Sequence, residues 1–167
     1  MNDFLDRMIR AARLDPKLYE EVEADQATLG QSAAVVVLSS VAAGIGVTGI
    51  GGVGGLVMGS VAALVGWLVW ASMIYLIGTK LLPEPQTKSD IGELLRTLGF
   101  ASAPGVLRVL GVVPGLGPVI VILVTGWMLA AMVVAVRQAL DYEGTARAIA
   151  VCLIGFLIQA LLLAWVI

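Results

Sequence analysis

Residues 55–80 read GLVMGSVAALVGWLVWASMIYLIGTK. From Gly55 to Gly78 no side chain carries a charge; Lys80 then closes the run and Pro83 follows. About 20 apolar residues in a helix rising ~1.5 Å each cross roughly 30 Å of hydrocarbon. The stretch therefore reads as a transmembrane helix. Pro83 and Pro85 stop it, because proline has no N–H to give to the preceding turn.

The pattern repeats on either side. Of the 10 basic and 12 acidic residues, all but Arg108 fall in segments 1–25, 80–96 and 137–147. The runs between them are rich in Val, Leu, Ala and Gly. The hydrophobic fraction is 59% and the mean hydropathy +0.99. Soluble domains average about 45–50% apolar even when glycine is counted. A soluble domain of 167 residues still exposes much surface and cannot hide such an excess. The expected fold class is all-α: a polytopic integral membrane helical bundle. Its five transmembrane helices, about 29–47, 55–78, 97–112, 118–136 and 146–167, form one domain over 28–167. Residues 1–27 form a cytoplasmic segment with a short amphipathic helix. No secretory signal peptide is apparent, so the spans themselves are expected to direct insertion.

The third span is the weak one, since it is short and holds Pro104 and Arg108. Charge decides whether it crosses. Lys and Arg collect in cytoplasmic loops. Arg7, Arg10, Arg13 and Lys17 precede the first span. Lys80, Lys88 and Arg96 lie between the second and third, and Arg137 and Arg147 between the fourth and fifth. The loops at 49–54 and 111–117 have no basic residue. Five crossings put every basic segment inside, with the N-terminus in and the C-terminus out; a re-entrant third segment would leave Arg137 and Arg147 outside. The two outer loops are Gly- and Pro-rich tight turns, which pair the spans into helical hairpins.

On the cytoplasmic side, Phe4, Leu5, Met8, Ile9 and Ala12 share one face of an amphipathic helix, expected in the interface plane. Asp15 and Pro16 mark the start of a second helix. Its Glu20, Glu21, Glu23 and Asp25 form a solvated acidic face or attract a cation or basic partner. Asp90 and Glu93 favour the N-terminus of the helix leading into span three.

Several function classes drop out. There is no histidine, hence neither the usual general base nor the usual transition-metal ligand. A net charge of −2 gives no electrostatic case for nucleic acid. Cys152 has no intrachain partner and reads as a small buried hydrophobe. Gly44-Ile-Gly46-Val-Thr-Gly49 matches G-x-G-x-x-G but ends a membrane helix rather than following a strand, so no dinucleotide site is expected. No catalytic constellation, cofactor or metal is expected.

Gly51, Gly55 and Gly59, and Gly99 and Gly105 with their alanine neighbours, allow close helix packing, inside the monomer or in an oligomer. Arg108 has no intramembrane carboxylate to pair with. It snorkels to headgroups, holds a lipid phosphate or anionic ligand, or bonds carbonyls freed by Pro104. Gln159 should seek a polar partner. Trp67, Trp70, Trp127 and Trp165 read as belt or packing residues.

Thr79-Lys80-Leu-Leu-Pro83, then Glu93-Leu-Leu-Arg96-Thr-Leu-Gly99-Phe-Ala-Ser-Ala-Pro104-Gly105, then Ala135-Val-Arg137-Gln138-Ala-Leu-Asp141-Tyr142 resemble the Yip family (Ypt/Rab-interacting proteins), in its prokaryotic branch. The resemblance covers about residues 27–160. It implies a multi-pass helical fold without enzymatic activity, and eukaryotic members are associated with Rab GTPases and membrane shaping. It also places Arg96, Arg137 and Tyr142 among the candidate lipid or partner contacts, beside Arg108 and Gln159. The expected function is a membrane-organising or interaction scaffold in a prokaryotic cytoplasmic membrane. Its partners would be membrane lipids, a cytoplasmic protein or further copies of itself. The alternative is a small-solute or lipid transporter that uses the broken third span with Arg108 and Gln159.

Overall fold

The computed structural model describes residues 3–48 and 52–166. Gly51 lies outside the described residues, as does the side chain of Trp165. Within them the chain forms seven α-helices and no strand: α1 (Asp3–Ala12), α2 (Pro16–Ala24), α3 (Leu29–Ala43), α4 (Gly52–Leu76), α5 (Ile91–Ala101), α6 (Gly117–Ala139) and α7 (Thr145–Val166). This is an all-α membrane bundle. Gln26–Gly46, Gly52–Leu81 and Gly117–Ala139 are long and apolar enough to cross a bilayer; Thr145–Leu161 is a shorter apolar helix.

The helix ends follow from local chemistry. Asp15 caps α2 by accepting from the Lys17 N–H, with Pro16 in the first turn. Asp90 and Glu93 form a reciprocal capping box on α5, which satisfies two otherwise orphaned donors. The helix α6 ends in a Schellman motif. The Tyr142 N–H reaches the Arg137 carbonyl at 2.9 Å and the Asp141 N–H reaches that of Gln138 at 2.9 Å. Asp141 takes the left-handed position, φ 53°, which glycine usually fills. Leu14 does the same after α1, at φ 61°.

The weak third segment is the centre of the bundle. Leu94 to Ala101 are all buried, and α5 packs against α2, α3, α4 and α6. A helix surrounded by protein needs no continuous apolar surface. The lipid-facing role falls to α4, α6 and α7, whose Val57, Met58, Val61, Ile122, Leu123, Leu153 and Leu157 are exposed. Beyond α5 the chain tightens into a 3-10 helix, Ala103–Val112. Pro104 cannot donate to the carbonyl four residues back, so the α-helical ladder breaks there. Runs of 3-10 helix beyond three or four residues are uncommon; this one is wedged between α3 and α6. Laid end to end, α5 and the 3-10 segment are about 36 Å long.

Small residues make these contacts possible. A Cβ on Gly99 would lie 2.5 Å from Ser32 Cβ, one on Gly105 would overlap Ser39 Oγ, and one on Gly46 would overlap the Arg108 carbonyl. Gly59 is looser, 3.7 Å from Ser40 Oγ, and Gly55 faces open space.

The amphipathic helix α1 is docked on the bundle's flank. Ala11 is buried, Phe4 and Met8 pack on the core, and Leu5 and Ile9 face outward. The Trp127 indole on α6 donates to the Ala12 carbonyl at 2.7 Å. Arg7 pairs with Glu21 and Asp25, and Arg10 with Asp15 and Glu21, which ties α1 to α2. These bonds hold the Asp15 and Glu21 carboxyls below their usual range and raise the Arg10 guanidinium.

Candidate functional site

Two concave regions gather the polar side chains. The first is a cleft of about 900 Å³ at the charged end of the bundle. Four separate stretches of chain build it: α2 with Glu20 and Glu23, the 82–90 loop with Gln86, the start of α5 with Glu93, and the end of α6 with the connection after it, which carry Arg137, Gln138, Asp141, Tyr142 and Glu143.

Its frame is a set of bonds to backbone. Arg96 is only 6% exposed. Its Nε donates to the carbonyls of Val22 and Glu23, each at 3.0 Å, and its terminal nitrogen also reaches Glu23 O. A guanidinium thus closes the C-terminus of α2, where unpaired carbonyls and the helix dipole favour a cation. The Tyr142 hydroxyl lies 3.1 Å from the Gly78 carbonyl and 2.8 Å from that of Leu82. Burial pushes this phenol up to about 12. Arg137 donates to the carbonyls of Tyr142 and Glu143. Arg147 donates to Pro83 O at 2.7 Å and pairs with Glu84. Gln86 reaches Asp141 O at 3.1 Å. The 82–90 loop and the α6–α7 connection are therefore one surface.

The electrostatics are acidic. Burial, then the neighbouring carboxylates of Glu93 and Asp141, push the Glu23 carboxyl up to about 8; Arg96 opposes this. Glu23 therefore holds a proton over much of the neutral range, with its backbone carbonyl under Arg96 and its side chain on the cleft.

The second region is a cavity of about 400 Å³ inside the bundle. It brings together Arg108 and Gln159, which are far apart in sequence. Around them stand Ser39 and Ser40 of α3, Trp67 and Trp70 of α4, Ser102 at the end of α5, and Phe156 of α7. Arg108 is half-buried and donates to Thr125 Oγ1 at 3.2 Å. None of the ion pairs among the described residues includes it. The Trp70 ring lies 4.7 Å from that of Phe156, and its Nε1–H is buried without an acceptor. Gly66 of α4 and Phe156 and Gln159 of α7 are exposed, so the cavity opens sideways between those helices.

The expected contact residues thus divide. Arg108 and Gln159 share the inner cavity; Arg137 and Tyr142 line the outer cleft; Arg96 lies behind the cleft wall, with donors engaged by α2. Glu93, Asp141 and Glu143 join the cleft only through folding. Nothing in the sequence distinguishes Trp70 from a packing tryptophan.

The motif stretches quoted above meet in this frame, with Tyr142 bound to the ends of the Gly78–Leu82 turn and Arg96 to α2. The sequence model of the Yip1 domain matches residues 19–167. The chain belongs to the Yip1-domain family. A search of curated proteins and a search of solved structures each returned no match. The Yip1-domain match begins within α2 and takes in both concave regions, so α1 alone among the helices precedes it.

Proposed function

We propose that this Yip1-domain protein is a non-enzymatic membrane scaffold that binds a basic segment of a cytoplasmic protein in the acidic cleft. The observation that carries this reading is the cleft itself. Glu20, Glu93, Asp141 and Glu143 converge on one opening of about 900 Å³, over a backbone frame held by Arg96, Tyr142 and Arg147. Complementary charge steers such an encounter and selects its partner. The distribution of Lys and Arg supports five crossings, N-terminus in and C-terminus out, which puts the cleft on the cytoplasmic face.

The test is site-specific photo-crosslinking in cells, with the crosslinker at Ala24 on the cleft rim and at Val57 on the exposed face of α4. Discrete protein adducts at Ala24, lost when Glu20→Lys and Glu143→Lys are combined, are the expected result. Adducts from Val57 alone, or adducts at Ala24 indifferent to charge reversal, would sink the scaffold reading.

A second reading, handling of a solute or lipid, is supported by the shared cavity of Arg108 and Gln159.

A further inference from the structure

We infer that the cavity between α3, α4, the 3-10 segment, α6 and α7 is a binding site for the oxyanion headgroup of an amphiphile. The inference stands independently of the scaffold reading, because the cleft and the cavity have different walls.

The polar groups facing this space are dominated by donors. A guanidinium has five N–H bonds and no acceptor. One Arg108 donor is used, by Thr125. Ser39, Ser40, Ser102 and Gln159 add groups that can donate. No carboxylate lines the cavity, so nothing there neutralises Arg108. The complement is an acceptor with negative charge, a phosphate or carboxylate.

The remaining wall decides what that anion is attached to. Leu98, Met128, Met132, Trp67 and Phe156 are apolar, and the opening faces sideways between two helices with lipid-type surfaces. An anion reaching Arg108 by this route carries an apolar chain that stays outside. At about 400 Å³ the cavity is near the lower end of ligand pockets, roughly 300–1,000 Å³, a size for a headgroup rather than a whole lipid. The flexible Met128 and Met132 thioethers can adapt to it.

The experiment is native mass spectrometry of the full chain released from neutral detergent. The probes are dihexanoyl phosphatidylglycerol, dihexanoyl phosphatidylcholine and inorganic phosphate. Saturable binding of one phosphatidylglycerol is expected, about tenfold weaker in Arg108→Gln and about threefold weaker in Gln159→Leu. Circular dichroism checks that each variant is folded. If Arg108→Gln does not fold, Gln159→Leu, at an exposed position, replaces it with an expected threefold loss. Phosphatidylglycerol binding that excess inorganic phosphate leaves intact identifies the lipid headgroup as the source. Displacement by inorganic phosphate identifies the free oxyanion and overturns the amphiphile assignment. Equal binding of phosphatidylcholine and phosphatidylglycerol, no saturable binding, or binding unchanged in every folded variant overturns the site.

Discussion

Arg96 and Glu23 are joined through the backbone rather than through their charges. The guanidinium closes the end of α2 on the Glu23 carbonyl, while the Glu23 side chain stands among carboxylates on the other side of the same residue. The anchor of α2 and the acidity of the cleft therefore meet at one position and can be altered separately.

Removing the anchor should be costly. Arg96→Ala takes the guanidinium from the Glu23 carbonyl and leaves the Val22 carbonyl only the Thr28 hydroxyl; hydrogen bonds to charged groups contribute about 1.5–3 kcal/mol each. A loss of about 3 kcal/mol is expected in denaturant unfolding in detergent. Arg96→Lys should recover only part of it, since one ammonium cannot reproduce the planar fork. Full recovery by lysine would mean that charge alone matters at this end of α2.

Altering the acidity has a pH signature. The Glu23 carboxyl titrates near 4.5 when unperturbed and near 8 in the fold. Between those values the folded state binds more protons than the unfolded one, so stability falls as pH rises from about 4.5 to about 8. Glu23→Gln removes that dependence. Its melting temperature should exceed that of the parent by a few degrees at pH 9, and the gap should be smaller at pH 4. A gap that is constant across this range would exclude titration of Glu23 as its cause.

Tyr142→Phe deletes the hydroxyl placed between the Gly78 and Leu82 carbonyls. A loss of about 1–2 kcal/mol is expected, together with faster protease cleavage in the 82–90 loop. Unchanged cleavage would show that Gln86 and Arg147 suffice to hold that loop.

Glycine contacts give a paired prediction. Gly99→Ala forces a Cβ onto Ser32 and should destabilise by about 2–3 kcal/mol through separation of α3 and α5. Gly55→Ala meets open space and should be neutral or stabilising by up to about 1 kcal/mol, from helix propensity. Thermal unfolding in detergent compares the two. A large loss at Gly55 would instead reveal a contact with a second copy.

Membrane orientation is tested by single cysteines at exposed positions. Leu116→Cys should react with an impermeant thiol reagent added outside intact cells, and Gly144→Cys only after the membrane is opened. Cys152 is buried and contributes little background. Both positions reacting from one side would refute the single crossing by α6 that separates them.

The helices that face lipid are the ones most legible in the sequence. Val57, Val61, Leu123 and Leu157 are exposed in runs without charge, and hydropathy reads such runs directly. The segment 91–112 is harder because its neighbours supply its apolar surroundings, which lets it keep Glu93, Arg96 and Arg108. Its glycines were readable as points of close approach; which helix approaches was not, since Ser32 and Ser39 are distant in sequence. The cleft was unreadable for the same reason. Glu23, Glu93 and Asp141 become neighbours only after four stretches fold together. Trp70 shows the limit of sequence reading. An indole that lacks an acceptor has the same letter as one that has found it.

The burial of α5 on every side bears on biogenesis. With Glu93, Arg96 and Arg108 in or beside it, the 91–112 segment is a poor candidate to leave an insertion machinery alone. Arg96 finds its carbonyls on α2, made earlier, but Arg108 finds Thr125 only once α6 follows. A nascent chain halted after α5 should therefore be retained or degraded, whereas one extended through α6 should be released. The order in which helices enter the bilayer is then set by the element that hydropathy ranks weakest.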